Sequence, residues 1–136
     1  MEQNRIAITG IGVYTALGNN PKGFWEALVA GKSGAGPITA FDTTGYKCRI
    51  AAEIKDFDPK QYLSGKRVRR MARFSQMAAA AARQAVANAG LDLENLPDNR
   101  PDRVGAVIGT AAGDYVNMEE QHRNLLELLI RPDGLE

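Results

Sequence analysis

Residues 6–13 are apolar and mostly β-branched on both faces, the pattern of a strand covered on both sides in a parallel sheet. The period then changes. Asn20-Pro21 marks a helix start, with Asn20 as N-cap and Pro21 at the first helical position. Phe24, Trp25, Leu28 and Val29 give that helix an apolar stripe, and Gly31 ends it. After a loop rich in Gly and Ser over 32–37, residues 48–54 alternate, with Cys48, Ile50, Ala52 and Ile54 on one face. That predicts a half-buried strand, broken by Asp58-Pro59. The longest helical pattern covers 66–89, carries Met71, Phe74, Met77, Ala78, Ala81, Ala82, Ala85 and Val86 at helical spacing, and stops at Gly90. Its run of five alanines over 78–82 is too small to fill space, so another segment must pack closely on it. A polar loop with Pro97 and Pro101 leads to a second buried-strand pattern, Arg103-Val104-Gly105-Ala106-Val107-Ile108-Gly109. The last helix is predicted over 115–130, with Arg131-Pro132-Asp133-Gly134 as its terminator.

This order of strands and helices predicts an α/β fold in one domain, residues 1–136. Two long buried strands make a poor sheet whose edges want neighbours, so the pattern is that of a piece of a larger fold. The sequence contains neither an internal repeat nor a low-complexity tract.

Composition narrows the chemistry. A hydrophobic fraction of 44% suffices for a core, and 17 basic against 16 acidic residues leave a net charge of +1. No global field draws the chain to nucleic acid or membrane, so an electrostatic partner must use a local patch. A single cysteine, Cys48, excludes an internal disulfide and a thiolate cluster, and the single His122 leaves too few ligands for zinc. No metal and no cofactor are expected. No apolar run approaches the roughly 20 residues of a membrane helix. The start, Met1-Glu2-Gln3-Asn4, lacks the basic and apolar regions of a signal peptide, so a soluble cytoplasmic protein is expected.

Four candidate motifs weaken on inspection. Gly10-Ile11-Gly12 follows a strand pattern, but a dinucleotide fingerprint needs Gly or Ala where Thr15 stands and a helix starting at the glycines. Glycines that relieve a crowded strand are the better reading. Gly31-Lys32-Ser33 has Glu26 where a phosphate loop needs glycine. Cys48 lies between Lys47 and Arg49 in a strand-like alternation, with no helix start to lower its pKa, and reads as a small buried side chain. His122 sits mid-helix with no nucleophile nearby in sequence.

Lys66, Arg67, Arg69, Arg70 and Arg73 are five cations within eight residues without an acid. On one continuous helix Lys66, Arg69, Arg70 and Arg73 form a stripe. Cations at a helix N-terminus oppose the dipole, which suggests a use for them. An anionic partner and a solvated helix start both fit. Nucleic acid is the weaker anion, because no aromatic residues are interleaved.

Several stretches together resemble the N-terminal part of a β-ketoacyl-acyl-carrier-protein synthase of the elongating type. They are Ile8-Thr9-Gly10-Ile11-Gly12 with Leu17-Gly18-Asn19, then Phe24-Trp25-Glu26-Ala27-Leu28, Gly31-Lys32-Ser33-Gly34 and Phe41-Asp42. Phe57-Asp58-Pro59, the basic run with Met71 and Phe74, and Val104-Gly105-Ala106-Val107-Ile108-Gly109-Thr110 complete the set, in order and at fitting spacings.

The resemblance implies a thiolase-like, layered αβαβα fold of two similar halves, and a homodimer. This chain would be most of the first half, with 6–13 an inner strand, 104–108 its neighbour and the other strands beyond Glu136. The implied reaction is decarboxylative condensation by a cysteine at a helix start, assisted by two histidines. All three lie downstream of the matching region, so no catalytic residue is assigned and the 136 residues alone are expected to be inactive.

Two assignments follow from the resemblance. Lys66, Arg67, Arg69 and Arg70 match the segment that docks acidic acyl carrier protein. Gly109, Thr110, Ala111, Ala112 and Gly113 match the loop lining the acyl pocket, where Ala112 replaces a bulkier gate and implies a roomier pocket. The implied partners are acyl carrier protein and the rest of the synthase chain or a complementing chain, with no nucleic acid and no membrane. A non-catalytic docking subunit, or a parent of chain-length-factor type, remains open beside the active synthase. A nucleic-acid binder using the basic stripe would show steeply salt-dependent binding to DNA.

Overall fold

A computed structural model describes residues 5–96 and 101–130. The sequence readings at Met1-Glu2-Gln3-Asn4, Pro97 and Arg131-Pro132-Asp133-Gly134 lie outside the described residues. In chain order the elements are α1 (Pro21–Val29), β1 (Gly36–Pro37), β2 (Ile50–Ala51), α2 (Gly65–Arg70), α3 (Arg73–Asn88) and α4 (Tyr115–Ile130), with single 3-10 turns at Pro59–Gln61 and Pro101–Arg103.

Local chemistry sets the ends of α1. The Asn20 side chain accepts the Gly23 N–H at 2.9 Å, satisfying one of the donors a helix start leaves free. Gly31 takes φ +64, so that the Gly31 and Lys32 N–H groups reach the Leu28 and Ala27 carbonyls, each at 3.0 Å. The same closure recurs at Gly90 (φ +65), which donates to Ala87 while Leu91 donates to Val86.

Residues 6–13 do not join a sheet among the described residues. They lie along α3, where a side chain on Gly10 or Gly12 would meet the helix backbone at Ala85 and Ala81. This is the close-packing segment the alanine run demands. Ile11 and Val13 donate their backbone N–H groups to Asn88 Oδ1 (3.0 Å) and Gln84 Oε1 (3.1 Å), so two helix side chains take the place of a neighbouring strand. The expected burial on both faces is not met, since Ile6 is 95% exposed. The second strand pattern fares alike: Val107 is fully exposed, and no ladder forms over 104–108 among the described residues. Backbone donors and acceptors in a strand need a paired neighbour, and the described residues offer a helix on one side of 6–13 only.

The α/β expectation is therefore met in part: helices form where they were expected, except that the one over 66–89 is divided, and β1 and β2 form a two-residue antiparallel pair, Gly36 opposite Ala51 and Pro37 opposite Ile50. The phase of the alternation over 48–54 is corrected as well. Cys48, Ile50 and Ala52 are exposed, while Ala51, Glu53 and Ile54 are half-buried, so of the expected face only Ile54 is covered. The Glu53 carboxylate accepts the backbone N–H groups of Thr39 and Ala40 and the Thr39 hydroxyl, the last at 2.8 Å, which ties the segment after β2 to the segment after β1.

The single helix expected over 66–89 is two helices. Met71 and Ala72 are extended (ψ 136 and 152) between α2 and α3. Neither residue is a helix breaker, and the cause is tertiary. Gln76, buried to 8% exposure, donates its carboxamide N–H groups to the carbonyls of Val68 (2.9 Å) and Met71 (2.8 Å). Arg73 donates to the Ile54 carbonyl at 3.3 Å and stacks over Phe57 at 5.5 Å. The small core beneath gathers Phe57, Leu63 and Ala80, with Tyr14 edge-on to Phe57 (5.1 Å) and to Tyr62 (5.9 Å).

Candidate functional site

The bend at Met71-Ala72 decides where the basic residues point. Leu63 is buried just before α2 and Val68 is half-buried within it, so this short helix presents the rest of its surface to solvent. Lys66, Arg67, Arg69 and Arg70 are all exposed and, at about 100° per residue, cover about 160° of the helix surface on the side away from Val68. Among the described residues none of the four is ion-paired. Four unneutralised cations on one turn and a half of helix form a compact positive surface suited to an acidic partner.

The structure departs from the sequence pattern at two points. Arg73 leaves the stripe: it opens α3 and is engaged with Ile54 and Phe57. And because α2 ends at Arg70, Arg67, Arg69 and Arg70 stand in its last turn, where the helix dipole favours cations. The unfavourable placement that argued for a use is absent. What supports a partner is that the four cations are exposed and unpaired.

The loop at Gly109, Thr110, Ala111, Ala112 and Gly113 is brought only partly toward a cavity. Gly113 takes φ +71, donates to Thr110 Oγ1 at 3.3 Å, and lines a groove of about 480 Å³ with Ala72, Arg73, Phe74, Tyr115 and Glu120. Gly109, Thr110, Ala111 and Ala112 are exposed and line no part of that groove. The groove places the end of the loop against the α2–α3 junction, a juxtaposition not visible in the sequence.

The lone candidates separate from this region. Cys48 is exposed rather than buried, with its thiol 3.6 Å from the Ile50 carbonyl. It sits beyond the short β1–β2 pair, which covers only Ile50 and Ala51 of the expected strand. His122 is exposed on α4. Gly31-Lys32-Ser33 closes a helix instead of opening one, and Gly10 and Gly12 serve packing against α3. No group of three or more His, Cys, Asp or Glu among the described residues could hold a metal ion, and no described helix is long and apolar enough to cross a membrane.

Sequence reasoning missed Gln76, Gln84 and Asn88, the carboxamides that tie backbone segments to α3. A signal existed for Gln76: it stands four residues before Ala80 on the face that is buried.

A family model described as "Beta-ketoacyl synthase, N-terminal domain" matches residues 3–130. The 3-oxoacyl-[acyl-carrier-protein] synthase 2 of Synechocystis sp. is 39% identical over 127 residues, covering 93% of this chain and 30% of that protein. The protein of the same description from Coxiella burnetii is 44% identical over 126 residues, with the same two coverages. Among solved structures, "The ishigamide ketosynthase/chain length factor" matches with a TM-score of 0.72 at 32% identity, over 95% of this chain and 31% of that one. The chain thus spans 30% of the length of these curated relatives.

Proposed function

The chain belongs to the β-ketoacyl synthase family, as its N-terminal domain, and from that premise we propose that it forms the front of an elongating, acyl-carrier-protein-dependent condensing enzyme. The family match over residues 3–130 carries this reading. The parent activity is decarboxylative condensation of an acyl group with malonyl-carrier, in fatty-acid or polyketide synthesis. The nucleophilic cysteine and the two histidines are supplied by sequence outside these 136 residues, and the chain alone is inactive. The exposure of Cys48 and His122 supports this division of labour.

The contribution of this segment is recognition. Acidic acyl carrier protein docks on Lys66, Arg67, Arg69 and Arg70, and Gly109, Thr110, Ala111, Ala112 and Gly113 border the acyl pocket. With Ala112 in place of a bulkier gate, that pocket is roomy. The remainder of the synthase, in the same chain or a complementing one, covers Ile6, Ile8, Val107 and Ile108, whose exposure supports a missing neighbour. The complete enzyme is a cytoplasmic homodimer that engages neither nucleic acid nor membrane.

A second reading has one observation in its favour: the likeness at TM-score 0.72 to a ketosynthase/chain length factor. In that reading the chain is part of a non-catalytic, complementing subunit. Intact-mass measurement of the protein purified from its source, with any co-purifying chain, tests both. A longer polypeptide or a tight partner carrying the remaining strands and an active cysteine is the expected result. A partner-borne assembly without that cysteine selects the second reading, and a lone 136-residue species overturns both.

A further inference from the structure

The break between α2 and α3 is held by a side chain five residues beyond it, and this has a consequence for the basic surface. Met71 and Ala72 have nothing against helix: in a continuous helix the Val68 carbonyl would accept from the Ala72 N–H, and the Met71 carbonyl from the Ser75 N–H. Instead both carbonyls accept from the Gln76 carboxamide, at 2.9 and 2.8 Å, and the Ala72 N–H has no hydrogen-bond partner among the described residues. The exchange is closely balanced. One buried carboxamide satisfies two carbonyls at the end of α2, and helix continuation would satisfy the same two from the backbone.

We infer that Gln76 is the positioning residue of the docking surface: its carboxamide holds the α2–α3 bend and thereby sets the direction in which Lys66, Arg67, Arg69 and Arg70 are presented. This rests on the docking reading for the partner, but the bend itself does not. Were 66–88 one continuous helix, α2 would follow the axis of α3, and its cations would point along a different line. Arg73, clamped to the Ile54 carbonyl and Phe57, fixes the α3 side of the joint, so losing Gln76 reorients α2 in particular.

The backbone geometry also supplies a rescue. Ala72 has φ −60, the value proline fixes, and Met71 before it has φ −103 and ψ 136, within the region a residue preceding proline adopts. Proline at 72 fits the bent chain and forbids the continuous helix, because its ring would strike the Val68 carbonyl.

The test compares the unaltered 136-residue chain, in whatever complex it purifies, with Gln76→Met, the double variant Gln76→Met with Ala72→Pro, and Arg69→Glu with Arg70→Glu. The readouts are Ala72 amide exchange and affinity for fluorescently labelled apo acyl carrier protein at low salt. Gln76→Met keeps the side-chain volume and removes the donors. It is expected to slow Ala72 exchange about tenfold as that N–H takes up the Val68 carbonyl, and to weaken carrier binding about fivefold as the charges lose alignment. Adding Ala72→Pro restores the affinity, which a packing role for Gln76 would not permit. Unchanged Ala72 exchange in Gln76→Met, or no rescue by Ala72→Pro, overturns the proposal. If Arg69→Glu with Arg70→Glu leaves affinity untouched, the docking reading falls and the positioning role falls with it. Slowed Ala72 exchange would then still establish that Gln76 holds the bend.

Discussion

Val13 donates its backbone N–H to Gln84 Oε1 at 3.1 Å, and the other end of the same carboxamide donates to the Asn19 carbonyl at 2.7 Å. One side chain of α3 thus ties both ends of the segment that leads from the first strand pattern into α1. Gln84 is half-buried, so water replaces these bonds only in part. Gln84→Met should cost about 1–3 kcal/mol, because two backbone groups lose their partner. Asn88→Ala, which frees the exposed Ile11 N–H, should cost less, under about 1 kcal/mol. Urea unfolding of the two variants side by side checks the order as well as the size.

Gly12→Ala should be more damaging than its chemistry suggests. The added methyl would overlap the Ala81 carbonyl oxygen and stand 2.9 Å from the Ala85 nitrogen. Both are helix backbone that cannot rotate away, so the segment must lift off α3 at a cost of about 1–3 kcal/mol. At Gly31 the same change meets no atom within 4 Å, and only the left-handed φ of +64 opposes it, at about 1–2 kcal/mol. Crystallography or exchange at Ala81 and Ala85 would separate the two: only Gly12→Ala displaces the 6–13 segment.

The Tyr14 hydroxyl is pushed up from 10.0 to about 12, first by burial, then by its hydrogen bond with Tyr62 and by the charge of that neighbour, while a hydrogen bond from Gln84 partly opposes the rise. The folded state therefore keeps the Tyr14 proton where the unfolded chain has lost it. Tyr14 contributes its full share of stability below pH 10, and that share is lost as pH rises from 10 toward about 12. Stability measured by denaturant across that window should fall in the unaltered chain and fall less in Tyr14→Phe. Equal slopes would show that Tyr14 is not the group responsible.

Arg69→Glu with Arg70→Glu inverts half of the positive surface on α2 while leaving the half-buried Val68 in place. Carrier-protein affinity should drop by about tenfold or more at low salt, and the drop should shrink as salt is raised. Both residues are exposed, but acids in the last turn of α2 oppose the helix dipole, so helical circular dichroism should change by no more than the short α2 accounts for. Loss of affinity with helicity otherwise intact separates docking from folding.

The ends of α1 and the stop of α3 were legible in the sequence because Asn20, Gly31 and Gly90 act through bonds to residues no more than five positions away. The expected helix over 115–130 is present as α4, while its expected terminator lies outside the described residues. The break at Met71-Ala72 was not legible, since the two residues themselves permit helix and the cause is the buried amide of Gln76. The strand patterns at 6–13 and 104–108 report burial against neighbours, and among the described residues those neighbours are missing, so Ile6 and Val107 stand exposed. Of the basic run, Lys66, Arg67, Arg69 and Arg70 share one surface as the spacing indicates. Arg73 does not, for it lies past a bend that spacing cannot reveal.

The most direct test of the division between recognition and chemistry is condensation by the purified 136-residue chain, supplied with acyl-carrier and malonyl-carrier protein and assayed for the 3-oxoacyl product and released carbon dioxide. The account predicts no product above the enzyme-free rate, with activity appearing only when a chain carrying the cysteine and histidines is present. Product formed by the 136 residues by themselves would contradict it.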